Sequence, residues 1–119
     1  RYCRNSHGAV ARKLLHWSRE TLDAVLESPD TAPISEKMRA LIRIAWKVQR
    51  DGRSASEADI SRARDEGADD TEIHDTVLIA AAFCMYNRYV DGLAAVTPED
   101  QSVYDAIGTR LAENGYSDG

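Results

Sequence analysis

Cys3 and His7 are the two residues near the start of the chain whose side chains could make and break bonds, and they lie four residues apart. On an α-helix this spacing places an imidazole next to a thiol on the same face. The thiolate is the reactive form of cysteine, and both an imidazolium and a helix N-terminus stabilise it. The pair therefore predicts a redox-active or nucleophilic Cys3, with His7 tuning the thiol and moving its proton.

The spacing of these two residues also has simpler interpretations. A surface cysteine and histidine can fall four residues apart by chance, and such a pair can share a zinc ion when two further ligands are present. His16 and His74 have no evident ligand companions, so we expect no metal site. Cys84 lies in an apolar stretch and is expected to act as a small buried hydrophobe.

A second group of polar residues, Asn87, Arg88 and Asp91, follows a long apolar run. In one interpretation the helix reaches solvent here, with Arg88 paired to Asp91 or Glu99. In the other, these residues form a polar network in a pocket wall, since buried polar groups need partners. Both interpretations stay open, and Asn87 and Arg88 are the candidate pocket residues.

The elements that must position these residues are helices, because apolar residues recur at i, i+3 and i+4 through most of the chain. This pattern predicts an all-α protein. The expected helices run approximately over 2–17, 20–26, 35–48, 56–66, 70–93 and 97–115. The expected caps are Ser35, Gly67, the capping box of Asp69 with Glu72, Thr97 before Pro98, and Gly115.

The longest predicted helix is apolar on every side between residues 77 and 86. Such a helix is typical of a bundle centre or a subunit interface. Trp46, Phe83 and Tyr86 are expected in the core, and His16 in the packing of the first helix. His74 is expected to be solvated near the start of its helix.

The length, charge and cysteine content of the chain exclude several classes of protein. Its 119 residues fit a single domain, 1–119, and its net charge of −5 argues against sequence-independent binding to nucleic acid. No apolar run reaches the length of a membrane span, so we expect no membrane partner. Two cysteines are too few for a disulfide scaffold, which favours a reducing compartment such as the cytoplasm.

The segments 2–3 and 6–9 resemble the end of the Cys-x-x-Cys-x-x-x-His site of alkylhydroperoxidase D-like (AhpD-like) proteins. These proteins belong to the carboxymuconolactone decarboxylase superfamily, and the resemblance is to its uncharacterised peroxidase-related branch. Further segments agree in order, and the run 80–93 is the most specific of them. Together the resemblance extends over roughly residues 1–96. The other agreeing segments are 34–41, 58–67 and 69–75.

This resemblance implies an AhpD-like helical bundle that forms a homo-oligomer and reduces alkyl hydroperoxides through a redox-active disulfide. Cys3 matches the second motif cysteine and His7 the motif histidine, so the first cysteine would directly precede Arg1. We therefore expect the chain to be the C-terminal part of a longer one. No haem, flavin or nicotinamide motif is visible, so we expect no bound cofactor, with electrons supplied by an external thiol or a protein reductant.

Two other functions stay open. One is the decarboxylase chemistry of the same superfamily, which does not need paired cysteines; the presence of Cys3 argues against it. The other is a non-catalytic helical oligomerisation module whose thiol is vestigial or senses oxidants.

Overall fold

The computed structural model describes residues 2–117, so Arg1 and the motif boundary expected there lie outside the described residues. Within the described part the chain forms six α-helices and no strand, which confirms the all-α prediction. The helices are α1 Tyr2–Leu15, α2 Arg19–Glu27, α3 Glu36–Arg50, α4 Glu57–Asp65, α5 Asp70–Gly92 and α6 Gln101–Asn114. They divide into two compact units, residues 1–27 with 94–119 and residues 28–93. The single-domain assignment stays a prediction.

The first unit contains α1, α2 and α6, and its tightest contact is between α1 and α6. Gly108 of α6 lies directly against Ala9 of α1, where a Cβ on the glycine would come within 2.4 Å of the alanine Cβ. Tyr104 is 1% exposed and its hydroxyl donates to the Pro98 carbonyl at 2.6 Å. The buried tyrosine thereby ties the segment before α6 to the helix itself.

Two ion pairs flank this contact between α1 and α6. Arg12 donates to Asp105 at 2.6 Å, and Lys13 donates to Glu113 at 2.7 Å. Both pairs are partly exposed, so they contribute less to stability than the buried contact between the helices.

The second unit contains α3, α4 and α5, and a short 3₁₀ turn, Gly52–Ser54, follows α3. Its core is made of small and branched apolar side chains from the three helices and from the turn before α5. Ile44 is fully buried at its centre. The buried residues of this core are Ala40, Ile44, Ala63, Ala68 and Ile73.

Helix starts in the second unit follow the predicted capping chemistry. The Ser35 side chain accepts from the Met38 N–H, as an N-cap should. Asp69 and Glu72 form the predicted capping box, each side chain accepting from the backbone N–H of the other. Gly67 has φ of +90°, the left-handed conformation expected after α4. These predictions are confirmed.

Two helix ends differ from the prediction. α6 begins at Gln101, because Asp100 is its N-cap and accepts from the Ser102 N–H. The predicted start at Thr97 and Pro98 is therefore wrong. α1 ends at Leu15, and His16 has a positive φ of 54° and an exposed side chain. The expected packing of His16 against the first helix is also wrong.

The surroundings of α5 do not match a bundle centre. Ile73 is its one buried residue among those described, whereas Leu78 is 57% exposed. Trp46 and Tyr86, which were expected in the core, are exposed, and Phe83 is half-buried. The described α5 therefore presents an apolar face to solvent. Its exposed apolar residues are Leu78, Ile79, Met85, Tyr86 and Tyr89.

A helix that crosses a bilayer must be both long and apolar. None of the helices within residues 2–117 combines the length and the apolar character needed to cross a membrane.

Candidate functional site

Cys3 lies in the first turn of α1, as its position in the sequence predicts. Its thiol is free and half-buried. The first four N–H groups of a helix have no intrahelical acceptor, so a sulfur anion here would lie near the positive end of the helix dipole. Cys3 as a residue is half-buried and not enclosed in the core.

His7 follows one turn later and contacts Cys3 through the backbone. Its Nδ1 lies 3.0 Å from the Cys3 carbonyl oxygen. A carbonyl oxygen only accepts hydrogen bonds, so Nδ1 carries the proton in this contact and the lone pair of the neutral ring is on Nε2. The hydrogen bond that joins the two residues thus fixes the tautomer and the orientation of the imidazole.

Tyr116 provides the contact on the other side of the imidazole. Its hydroxyl lies 2.6 Å from His7 Nε2, and with the tautomer assigned above the hydroxyl donates to the ring nitrogen. The two rings also stack, with centroids 6.3 Å apart and planes 27° from parallel. His7 is therefore held from both sides, by the start of α1 and by a residue that follows the end of α6.

Ser6 completes this group from inside the first unit. It is 0% exposed, and its hydroxyl lies 3.4 Å from the Cys3 carbonyl and 3.2 Å from His7 Nδ1. A buried hydroxyl next to the ring strengthens the orientation of the imidazole, because a buried polar group that loses its partner is costly. We call Cys3, Ser6, His7 and Tyr116 the thiol–imidazole cluster.

Sequence reasoning found Cys3 and His7 but missed Tyr116 and Ser6. Tyr116 is 109 positions from His7 along the chain, and no local spacing connects them. The tyrosine follows the positive-φ cap Gly115, which turns the chain after α6. The sequence predicts Gly115 as the end of the last helix, but a helix cap does not indicate which residue the Tyr116 side chain contacts.

Asn87 lies in the second unit, in a groove between α3 and α5 of about 620 Å³. The groove is mostly apolar, and Cys84 also lines it. The Cys84 thiol is half-buried and lies 3.9 Å from the Gln49 carbonyl oxygen. Cys84 is therefore not the fully buried hydrophobe that the apolar stretch predicted.

Arg88 is exposed and donates from Nη1 to the Cys84 carbonyl of its own helix at 3.2 Å. It does not line the groove within the described residues. Asn87 alone of the two therefore faces the groove. A role for either residue in a substrate pocket stays a prediction.

The polar end of the same groove carries Glu72. The Lys37 ammonium donates to this carboxylate at 2.7 Å and lowers the pKa of Glu72, and the Asp69 backbone N–H lowers it further. The carboxylate therefore remains ionised at neutral pH. His74 lies near the start of α5 and is exposed, as predicted for a solvated histidine. Its Nδ1 lies 3.3 Å from the Asp75 carboxylate.

Side chains that could ligate a metal are dispersed through residues 2–117. No group of three or more histidine, cysteine, aspartate or glutamate side chains comes together there in a way that could hold a metal ion.

Comparison of the chain with protein-family models, with curated proteins and with solved structures finds no match in any of the three. The resemblance to AhpD-like proteins therefore stays a prediction, which rests on segments such as 2–3, 6–9 and 80–93.

Proposed function

We propose that the chain belongs to a thiol-dependent peroxidase of the alkylhydroperoxidase D-like type and that Cys3 reduces alkyl hydroperoxides. The observation that carries this proposal is the thiol–imidazole cluster. A free thiol on a half-buried residue stands in the first turn of α1, and an imidazole whose orientation is fixed on both sides lies one turn on. Thiol chemistry commonly uses a cysteine with a nearby base. Here the ring contacts the Cys3 carbonyl and not its sulfur, so the proposal requires the imidazole to reach the thiol during the reaction.

The proposed reaction is balanced with an external thiol as the reductant. The Cys3 thiolate attacks the terminal oxygen of ROOH, a sulfur–oxygen bond forms, and the oxygen–oxygen bond breaks. The alkoxide takes a proton and leaves as ROH, and Cys3 becomes a sulfenic acid. One thiol then displaces water to form a mixed disulfide, and a second thiol releases the Cys3 thiolate. The net change is ROOH + 2 R′SH → ROH + R′SSR′ + H₂O.

His7 supplies the proton shuttle in this scheme, and Tyr116 positions it. In this scheme Nε2 takes the thiol proton and delivers it to the alkoxide, which requires Nε2 to exchange its contact with the Tyr116 hydroxyl for one with the sulfur. Because Tyr116 bonds this same nitrogen, its hydroxyl must reorient when Nε2 becomes protonated. Tyr116 is therefore a positioning residue in this proposal, and His7 is the group that moves the proton.

The experiment that tests this function follows the consumption of cumene hydroperoxide with dithiothreitol as the external thiol. Cys3→Ser removes the nucleophile and is expected to abolish turnover. Cys84→Ser is the matched control, because it removes the second free, half-buried thiol of the chain, and it should leave turnover unchanged. Equal turnover by wild type and Cys3→Ser would reject the peroxidase function.

The two rival functions predict different outcomes in the same assay. A decarboxylase would be indifferent to both cysteine substitutions and inactive toward hydroperoxides. An oxidant-sensing oligomerisation module would form one sulfenic acid at Cys3 without turnover. The exposed apolar face of α5 favours the second rival, since a helical module that associates needs such a face.

We also propose that the protein is a homo-oligomer and that α5 is its contact. Leu78, Met85 and Tyr89 recur at spacings of seven and four residues on the exposed face. This spacing forms a stripe that a second helix can pack against. Burial of these side chains against a copy of the chain would remove exposed apolar surface of α5 from water.

A further inference from the structure

A second cleft lies in the first unit, between α1 and α2, and no part of the proposed peroxidase reaction uses it. Its volume is about 420 Å³, within the usual range of small-molecule sites. Gly8 lets the two helices approach here, since a Cβ at this position would lie 3.0 Å from the Leu22 methyl. The residues that line the cleft are Arg4, Asn5, Gly8, Ala9, Arg12, Arg19, Leu22, Asp23, Leu26 and Gln101.

Three arginines converge on this one cleft, although the chain as a whole has a net charge of −5. Arg4 and Arg19 form no ion pair with any residue that the structure describes. Arg12 is engaged, since its Nη2 donates to Asp105 at 2.6 Å. Two guanidinium groups therefore remain available to a ligand, and each has five N–H donors.

The negative charges close to the cleft compensate these arginines only in part. Asp23 is the one acidic residue among the lining side chains. Glu20 lies beside Arg19, but its pKa is lowered first by a hydrogen bond from its own backbone N–H and next by the Ser18 hydroxyl. The charge of Arg19 has the smallest effect on that carboxyl. Arg19 attracts this carboxylate but forms no ion pair with it within residues 2–117.

The remaining lining groups suit the rest of a small organic anion. Asn5 and Gln101 place amide groups at the cleft, and an amide can both donate and accept hydrogen bonds. Leu22 and Leu26 form an apolar wall on the α2 side. The cleft therefore has a basic part and an apolar part, which is the composition of a site for an organic acid and not for an inorganic cation.

We propose that this cleft binds a small organic anion through a phosphate or carboxylate group held between Arg4 and Arg19. Arginine is the side chain best suited to both groups, because its planar fork forms two parallel hydrogen bonds to two oxygens. Asn5 and Gln101 orient the anion, and the two leucines contact its carbon skeleton. Binding here is independent of the thiol of Cys3.

The test is a titration of the ¹⁵N-labelled chain with inorganic phosphate in one arm and succinate in the other, followed by backbone amide shifts at constant ionic strength. Saturable shifts at Asn5, Gly8 and Leu22 are expected in at least one arm, and the tighter arm identifies the anion. Arg4→Gln and Arg19→Gln should each weaken binding about tenfold, as the loss of one charged hydrogen bond predicts.

Arg62→Gln is the control, because this exposed arginine on α4 lies in the other unit and its loss changes the net charge equally. It should leave the affinity unchanged. Arg12 is left intact, since its removal would also disturb the contact between α1 and α6. No saturable shift in either arm would overturn the proposal, as would equal weakening by all three variants, which indicates non-specific charge attraction.

Discussion

The imidazole of His7, near the start of α1, has a polar partner at each of its ring nitrogens. Its Nδ1 faces the Cys3 carbonyl at 3.0 Å, and its Nε2 faces the Tyr116 hydroxyl at 2.6 Å. These two contacts fix the tautomer and the orientation of the neutral ring before it takes up a proton. Tyr116 is 77% exposed, so substitution of this residue should affect the reaction more than the stability of the fold.

Tyr116→Phe separates these two effects. The substitution removes the hydroxyl that bonds Nε2 and keeps the ring that stacks on His7. We expect hydroperoxide turnover to fall about fivefold, corresponding to the loss of one hydrogen bond of about 1 kcal/mol, and the acidic limb of the pH–rate profile to shift. The unfolding temperature should change little.

Tyr86→Phe is the matched control, because this tyrosine is 52% exposed, lies in the other unit and is outside the proposed stripe of Leu78, Met85 and Tyr89. It should leave both turnover and the pH profile unchanged. An identical response to the two substitutions would show that Tyr116 does not position His7.

Sequence patterns predicted part of this cluster because only part of it is local. Cys3 and His7 are one helical turn apart, so their spacing alone placed them together. Ser6 and Tyr116 depend on tertiary structure: the serine is buried by packing, and the tyrosine arrives from the far end of the chain. No periodicity carries information about such a contact.

At the scale of helices, the contact between α1 and α6 depends on Gly108. A Cβ here would lie 2.4 Å from the Ala9 Cβ and 3.0 Å from the Ala9 carbonyl carbon, so the two backbones would have to separate. Gly108→Ala should therefore lower the free energy of unfolding by about 1 to 3 kcal/mol, as measured by urea denaturation.

Gly92→Ala is the control for this substitution. Gly92 is the last residue of α5, and a Cβ added there would meet no atom within 4 Å. Gly92→Ala should leave the free energy of unfolding unchanged or raise it by up to about 1 kcal/mol, because alanine is the better helix former. Equal effects at the two glycines would contradict the close approach of α1 and α6.

The start of α4 depends on Asp59. Lys47 donates to both carboxylate oxygens at 2.7 Å, and the Ser56 hydroxyl and N–H also donate to the carboxylate. These bonds, that from Lys47 first, lower the pKa of Asp59 from 3.8 to about 2. Because the folded-state pKa lies below the unfolded one, this stabilisation is complete above about pH 4 and is lost as the pH falls toward 2.

Asp59→Asn should lower the free energy of unfolding at pH 7 by about 1 to 2 kcal/mol, since it removes the ionised partner in the cap. It should also flatten the dependence of stability on pH between 4 and 2. Asp65→Asn, at the exposed end of the same helix, is the control and should retain that dependence. An unchanged acid profile in Asp59→Asn would contradict the assigned role.

Capping residues were the most predictable feature of the helices. Ser35 and the pair Asp69–Glu72 satisfy backbone N–H groups within three residues, so local chemistry decides these starts. The start of α6 was mispredicted because Pro98 and Asp100 are both acceptable start signals, and the Pro98 carbonyl is engaged by buried Tyr104. Tertiary packing selected the later start.

In the protein as a whole, α5 leaves large apolar side chains in contact with solvent. The sequence predicted an apolar helix at a bundle centre or an interface, and the central position is not observed. Trp46 and Tyr86 were assigned to the core by spacing alone. Helical spacing identifies which residues share a face, but whether another element covers that face depends on the tertiary or quaternary structure.

Leu78→Lys tests the proposed contact between copies. A charged side chain on the α5 stripe should dissociate the oligomer to a monomer, as measured by light scattering after gel filtration. Leu14→Lys is closely matched, because Leu14 and Leu78 are both 57% exposed and lie on different units, and it should leave the mass unchanged. A monomeric wild type, or a mass unaffected by Leu78→Lys, would contradict the proposed interface.

In the proposed reaction, Cys3 is the sulfur that reacts with the peroxide. The most direct measurement treats the protein with one equivalent of cumene hydroperoxide in the presence of dimedone and locates the sulfenic-acid adduct by peptide mass spectrometry. We predict an adduct on Cys3, reduced in His7→Asn, and none on Cys84. An adduct confined to Cys84, or no adduct on either cysteine, would contradict the proposed chemistry.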